Sequence, residues 1–351
     1  MSFGNLKIFS YQSRRFLYFF FKHITLKKFI NLILINFERL IKKLKPKGKP
    51  FYITLEPTNI CPLRCPLCPT GSGKTQRPKG YMNFELYKKI VDELEDCLFF
   101  IILHAFGEPF LNKDIFRMIA YARQKNIGTV ISTNLCTVNE KEISRIVSSG
   151  LEHLIVSLDA ADQETYLKYR LGGDFNKVIK NLSLLVREKR KQKSSIPFIE
   201  WQYIIMKHNQ SEIKKAKEIA EKIGVNKFKN YTEAKIDLTF FKGYYDRVEA
   251  NKWLTPQKIK ELEKMNYQKT FLFGRPCSFL WHSAVIYWDG RYYPCCYVED
   301  EKNAFADYNK ESFAKIWHSL NYQASRNIFK KNKKEFNFKT VCHLCKQHIK
   351  P

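Results

Sequence analysis

Residues 56–71 read EPTNICPLRCPLCPTG and carry Cys61, Cys65 and Cys68 in a C-x3-C-x2-C spacing. The stretch follows an apolar, β-prone run, Phe51 to Leu55, so three thiolates stand on one tight loop at a strand end. A [4Fe-4S] cluster or a structural zinc ordinarily takes four protein ligands. The next cysteine, Cys97, lies beyond a helical segment, so the loop leaves one metal corner for a non-protein ligand. An open corner implies chemistry at the metal. A zinc loop with a distant fourth ligand is the other reading of the same three residues.

Outward from this loop the chain alternates short β-branched or aromatic runs with longer amphipathic ones, the rhythm of successive βα units. Strands are expected at Phe51 to Leu55, Phe99 to Leu103, Thr129 to Ser132, Leu154 to Leu158, Ile199 to Ile205 and Lys227 to Tyr231. Asn83 caps a helix running to about Cys97, another spans Asp114 to Asn126, and Asn139 with Glu142 forms a capping box. Ser211 opens a later helix that ends before Gly224. The units predict an open, partial (β/α)6 TIM-like barrel. In such barrels chemistry collects at the carboxyl ends of the strands. Those ends carry Ala105-Phe106-Gly107-Glu108-Pro109, Ser132-Thr133-Asn134-Leu135, Ser157-Leu158-Asp159-Ala160 and, past a helix, Tyr169-Arg170-Leu171-Gly172-Gly173. Gln202, His208, Asn209, Glu233 and Lys235 are candidates to line a substrate cavity. Cys97 and Cys136 read as buried thiols.

The three-cysteine loop after the first strand resembles the signature of the radical SAM enzymes. That resemblance implies that Cys61, Cys65 and Cys68 hold a [4Fe-4S] cluster whose open iron binds S-adenosylmethionine. An electron from a reductant such as flavodoxin or ferredoxin would then split the cofactor to a 5′-deoxyadenosyl radical that abstracts hydrogen from substrate. The resemblance also implies the barrel fold. Residues 105–109 resemble the family's GGEP motif, with Phe106 in place of the first glycine, which assigns Gly107 and Glu108 to cofactor binding. Residues 132–135 resemble its STN(G) stretch, with Leu135 in place of the glycine, and Ser157-x-Asp159 its S-x-D. Thr133, Ser157 and Arg170 join the cofactor set on this basis, Arg170 as a planar fork for the methionine carboxylate or as a salt-bridged arginine. The residue before the last cysteine, usually aromatic in the family, is Leu67.

After Trp253 the alternation stops and a second cysteine grouping follows: Cys277, Gly290-x4-Cys295 and Cys342-x2-Cys345. Ala284 to Trp288, Asp289-Gly290 and Arg291 to Pro294 read as a β-hairpin. The pattern resembles the start of a SPASM domain, shortened to one site, and implies an auxiliary [4Fe-4S] cluster on Cys277, Cys295, Cys342 and Cys345. Zinc is the alternative, because spacing does not separate the two metals. Sulfatase-maturing relatives place a basic aspartate after the second of these cysteines. Here that position is Cys296, which reads either as a hydrogen-atom or proton donor facing the substrate or as a buried thiol.

The chain has 351 residues, ten cysteines and a net charge of +27. The lack of a cleavable signal and the clustering of the cysteines argue for a reducing cytoplasm. Before Phe51 stand many lysines and arginines but one acid, Glu38. Leu26, Ile30, Ile33, Phe37, Leu40 and Leu44 recur at steps of four and three along one side of a helix. Charges interrupt every window long enough to span a bilayer. Two readings stay open. Either the helix and the aromatic run Phe16 to Phe21 lie on an anionic membrane, at about 1 kcal/mol per nearby Lys or Arg, or the apolar side packs on the barrel. No nucleic-acid motif accompanies the charge. The expected organisation is a basic helical segment (1–50), a barrel (51–250) and a cysteine-rich hairpin and helix region (251–351). The fifty residues before the barrel look too short and too apolar for a leader-binding module. The expected substrate is therefore a membrane-proximal lipid or lipid-linked glycan, reached by a cytoplasmic protein peripheral on the inner face. The alternatives are a ribosomal peptide substrate and a non-catalytic iron-sulfur electron carrier.

Overall fold

The computed structural model describes residues 11–230, 251–257, 259, 276–296, 298 and 300–345. Six parallel strands form its centre: β1 (Tyr52–Leu55), β2 (Phe100–Ile102), β3 (Gly128–Thr133), β4 (His153–Ser157), β5 (Phe198–Tyr203) and β6 (Lys227–Asn230). They pair in sequence order, with Tyr52 opposite Phe100 and Phe100 opposite Gly128. Strands covered on both faces read as continuous apolar runs rather than alternating ones. β1 (YITL) and β4 (HLIVS) are of that kind, and nearly all their residues are buried.

The expected strands are found with ends shifted by one or two residues. Around them lie α3 (Phe84–Leu94), α4 (Ile115–Gln124), α5 (Glu140–Ser148), α6 (Gln163–Tyr169), α7 (Phe175–Lys191) and α8 (Ile213–Ile223). The Asn83 side chain accepts from Leu86 N at 2.9 Å, and Asn139 with Glu142 closes the full capping box at α5. α8 begins at Ile213 after a single 3-10 turn, and ends at Gly224, whose φ of +86° suits glycine.

The hairpin extends the same sheet. β7 (Ser283–Ile286) pairs in parallel with β1, Leu55 opposite Ile286, and β8 (Arg291–Tyr293) and β9 (Ala306–Asp307) follow antiparallel. The strand order is therefore β6-β5-β4-β3-β2-β1-β7-β8-β9, an open sheet. The second cysteine set is thereby tied to the strand that feeds the first. Glu233 and Lys235 lie outside the described residues.

The N-terminal segment is two helices rather than one, α1 (Tyr11–His23) and α2 (Leu26–Leu40), broken where Thr25 caps α2 through Lys28 N. Both sit beneath the amino ends of the strands. Phe19 stacks on Phe100 at 4.8 Å, Phe16 packs on Phe51 and Phe99, and Phe20 on Phe99. Phe19 is thus fully buried and Phe16 and Phe20 pack partly buried against the core, while Tyr18 and Phe21 of the same run are exposed. His23 bonds Glu152 at 2.8 Å and Asn126 at 3.0 Å, just before β4 and β3.

On α2 the expectation that an apolar side packs on the barrel is reversed. Lys28, Ile35 and Glu38 face inward and are buried, while Leu26, Ile30, Ile33, Phe37 and Leu40 face outward. The inward polar groups are all satisfied: Lys28 Nζ donates to Asn126 O, Asn31 exchanges two hydrogen bonds with Lys49, and Glu38 accepts from Lys43 Nζ, Lys47 N and Gly48 N. Leu44 lies beyond the helix and is buried, so it leaves the stripe. Among the described residues no helix is long and apolar enough to cross a membrane.

Candidate functional site

The cysteine loop leaves the carboxyl end of β1 and folds back on itself. Cys68 N donates to Cys65 O at 3.1 Å and Ser72 N to Cys68 O at 2.8 Å. A Cβ at Gly71 would stand 2.6 Å from Cys65 N, so the loop closes only over glycine. Cys61, Cys65 and Cys68 gather with Leu63, Leu67, Tyr169 and Met206. Leu67, where the family usually has an aromatic ring, is thus a core residue of the loop. Cys136 is half-buried in the same cluster and meets the Tyr166 hydroxyl at 3.3 Å, so it is not the buried thiol that the sequence suggests. Cys97 is buried, as expected. Burial pushes the Cys61 thiol up to about 12 and Cys65 to about 11, the latter opposed by Arg170. Thiols so shifted keep their protons at neutral pH and become ligands only where a metal displaces them.

The segment after β2 lies against this loop. A Cβ on Gly107 would fall 2.1 Å from Thr58 O, so the backbone approach is as close as a glycine motif requires. Phe106, at the position of the family's first glycine, is instead buried against Tyr287 of the hairpin, 5.9 Å between ring centres. Glu108 is buried and its oxygens are taken up inside the rim: Oε1 accepts from Thr133 Oγ1 at 2.8 Å and Oε2 from Asn134 N at 2.8 Å. Burial raises its carboxyl to about 7 against these hydrogen bonds. Glu108 and Thr133 therefore bolt the end of β2 to the end of β3. The residue they position is Asn134, whose Nδ2 lies 3.6 Å from Cys61 Sγ. Leu135, where the family has glycine, adopts φ +57° and is fully buried, with Leu135 N donating to Thr133 Oγ1.

Arg170 donates through Nε to Asp159 Oδ2 at 2.8 Å, with a second bond from Nη2 to the same oxygen. It is the salt-bridged arginine of the two readings, and its charge also reaches Cys65. The turn that carries it is docked on the loop, because Arg64 N donates to Leu171 O at 2.9 Å. Ser157 meets Ser132 Oγ at 3.2 Å and Gln202 Oε1 at 3.4 Å across three adjacent strands, inside the barrel. Asn209 is buried and bonds Asp159 O and Ile204 O. His208 stacks on Tyr169.

A buried ion pair that the sequence reading missed joins the two cysteine regions. Glu56, last before the loop, receives Arg77 Nη2 at 2.6 Å and Nη1 at 3.2 Å, and the Arg77 guanidinium lies 4.1 Å from the Tyr287 ring centre. No local pattern marks this pair, since both partners look like ordinary loop charges in the sequence.

In the second set, Cys277 and Cys342 are buried and Cys295, Cys296 and Cys345 half-buried. Cys277, Cys342 and Cys345 lie within electrostatic reach of one another, and burial raises Cys277 to about 11 and Cys342 to about 12. Tyr322 is in reach of both Cys342 and Cys295. Cys295 and Cys296 both pack with Phe106, Val285, Tyr287 and Tyr293, and Cys296 is in reach of Tyr52.

Among the described residues, no three Cys, His, Asp or Glu side chains converge tightly enough to share one metal ion. A four-iron cluster takes one thiolate per iron, and both donor sets consist of cysteine sulfur. The family model described as the radical SAM superfamily matches residues 55–200, from the end of β1 into β5. Residues 55–200 form a radical SAM domain. A second model, an iron-sulfur cluster-binding domain of the SPASM type, matches residues 277–346 and takes in the whole second cysteine set. A radical SAM domain works with a [4Fe-4S] cluster and S-adenosylmethionine, and a SPASM domain with auxiliary iron-sulfur clusters.

This radical SAM chain is similar to an AdoMet-dependent heme synthase of Methanosarcina barkeri, 27% identical over 50% of this chain and 48% of that one. It is also similar to the mycofactocin maturase MftC of Mycobacterium ulcerans, 31% identical over 39% of this chain and 36% of the relative. The matches thus span less than half of these relatives. Among solved structures, Streptococcus suis SuiB bound to precursor peptide SuiA superposes with a TM-score of 0.59 at 13% identity, covering 81% of this chain and 68% of SuiB. That likeness is one of fold.

Proposed function

We propose that this protein reductively cleaves S-adenosylmethionine and uses the 5′-deoxyadenosyl radical to abstract hydrogen from a peptide substrate. The observation that carries the first half is the three-sulfur loop, folded at the barrel rim against Gly107 and Asn134 with no fourth cysteine of its own. In this reading Cys61, Cys65 and Cys68 hold the catalytic cluster, and Cys277, Cys295, Cys342 and Cys345 the auxiliary one. Gly107 brings backbone to the cofactor. Glu108 and Thr133 hold the rim that presents Asn134, Arg170 steadies Cys65 as a thiolate, and Ser157 lines the cavity. Cys296, beside the auxiliary set on the hairpin's inner cluster, donates a hydrogen atom or proton to substrate.

The peptide half is supported by a relative named PqqA peptide cyclase, from Granulibacter bethesdensis and 26% identical over 51% of this chain and 46% of that one, and by the SuiB structure, which holds a precursor peptide. The lipid or lipid-linked glycan substrate has no such support and yields to the peptide. An external reductant such as flavodoxin or ferredoxin, a cytoplasmic location and the division at residues 50 and 250 belong to the same proposal. Anaerobic protein with dithionite and S-adenosylmethionine is expected to yield 5′-deoxyadenosine, and a co-encoded precursor peptide to increase that yield and change in mass. Absence of 5′-deoxyadenosine would favour an electron carrier. Cleavage indifferent to every peptide tested would sink the substrate class alone.

A further inference from the structure

We propose that α2 docks this protein on an anionic lipid bilayer, with the barrel mouth facing away from the membrane. The helix is oriented against its own amphipathicity. Leu26, Ile30, Ile33, Phe37 and Leu40, at steps of four and three, are each 55–75% exposed, while the opposite side carries the hydrogen-bonded Lys28, Asn31 and Glu38 into the protein. Burial of apolar surface alone would turn the helix over. Here the inward polar groups fix it, and the stripe is left outside by construction. Five such side chains present on the order of 500 Å² of apolar surface, at the upper end of the largest patch that a monomer ordinarily shows.

Charge selects the occupant. Before Phe51 the chain's one acid is Glu38, which is buried, whereas Lys22 at the end of α1, Lys27 at the start of α2 and Lys45 and Lys47 beyond its end are exposed. Lys22 pairs with Glu152 at 3.3 Å and Lys27 with Asp96 at 2.9 Å. An apolar stripe with lysines at both ends matches acyl chains bordered by anionic headgroups, each nearby lysine contributing about 1 kcal/mol. A second copy seated on the same stripe would bring the lysine clusters of two chains together, with a net charge of +27 on each. The helix has 15 residues. At 1.5 Å per residue that is about 22 Å, too short to cross a hydrocarbon core of about 30 Å, so it lies in the interface plane.

The fold then sets the geometry of the active site. α1 and α2 sit under the amino ends of β1 to β4, through the contacts of Phe19 with Gly128, His23 with Glu152 and Asn31 with Lys49. Cys61 and Gly107 stand at the opposite, carboxyl ends. A docked molecule offers its mouth to the aqueous side, where a soluble peptide and a protein reductant arrive, and keeps it a barrel's height from any lipid. Membrane attachment and a non-lipid substrate are therefore compatible.

The test is co-flotation of anaerobically purified full-length protein with phosphatidylcholine vesicles, with and without 30% phosphatidylglycerol, at 50 and 500 mM salt. Wild type is expected to float with the anionic vesicles at low salt and to be released by salt. The variant I30S/I33S/F37S should lose at least tenfold in partitioning while keeping its iron content and thermal midpoint, since none of its changes touches an inward contact. In an independent readout, Phe37→Trp should shift its emission to the blue on anionic vesicles. Equal flotation of wild type and triple variant, equal binding to neutral vesicles, or a wild-type dimer that the triple variant converts to monomer would each overturn the proposal. Because 5′-deoxyadenosine formation in solution needs no membrane, failure here leaves the proposed chemistry standing.

Discussion

Replacing Arg77 by Met tests whether the two cysteine regions are mechanically joined. Glu56 is fully buried, and Arg77 donates to it at 2.6 and 3.2 Å while stacking on Tyr287, with the Phe106 backbone as a further donor. Trp288 N adds a long contact at 3.5 Å, and the Trp288 ring would lie 2.3 Å from a Cβ on Gly80, so the Arg77 loop is clamped under the hairpin. Removing one partner of a buried pair strands the other charge and costs about 3–5 kcal/mol. Losing the stacked cation adds about 1 kcal/mol. Against a typical stability of about 5–15 kcal/mol, that is a large fraction. Met at both positions leaves no stranded charge, so the double variant Glu56→Met with Arg77→Met should recover at least about 2 kcal/mol relative to Arg77→Met. Urea denaturation of the anaerobic protein measures all three. A single-variant loss under about 1 kcal/mol, or strictly additive costs, would refute the coupling.

Gly107→Ala forces Thr58 and Asn59 away from the rim by about 1 Å, and misplacement of that size at a reacting centre costs on the order of 100-fold. 5′-deoxyadenosine formation should fall by that order while the auxiliary iron remains. Cys296→Ala should spare the iron of both sites and abolish substrate turnover; loss of the second site's iron would make Cys296 a ligand instead. His282 is buried beside Phe51, and burial lowers it to about 3. The unfolded chain takes up that proton near pH 6.5 and the folded chain does not, so its share of stability is held above pH 6.5 and lost on acidification. Between pH 6.5, where the unfolded imidazole is already half charged, and pH 4.5 the loss is about 2.3 kcal/mol, and His282→Phe should flatten the acid limb of a stability-pH curve by that amount.

Local chemistry was legible in the sequence. Asn83, Asn139 and Gly224 mark helix ends because capping needs nothing beyond a few neighbouring residues, and near-continuous apolar runs mark β1 and β4 because both faces are covered. The three-cysteine loop was legible for the same reason. What was not legible is contact between distant segments. Periodicity groups Leu26, Ile30, Ile33, Phe37 and Leu40 on one face but does not say which way that face points. The direction is set by Asn126, Lys49 and Gly48, which meet the helix only in the folded chain. Phe106 and Leu135 look like damaged glycine motifs until the hairpin brings Tyr287 to the first and the second proves to hold φ +57° with its side chain in the core. The pairing of β7 with β1, and with it the Glu56–Arg77–Tyr287 stack, joins segments more than two hundred residues apart.

The most direct test uses the variant C277A/C342A/C345A, which leaves the first loop as the one intended cluster site. Its dithionite-reduced electron paramagnetic resonance spectrum should show a single [4Fe-4S]⁺ species whose g-values move when S-adenosylmethionine is added, because one iron has no protein ligand. A reduced cluster whose spectrum ignores S-adenosylmethionine, or a loop that carries zinc, would contradict the account.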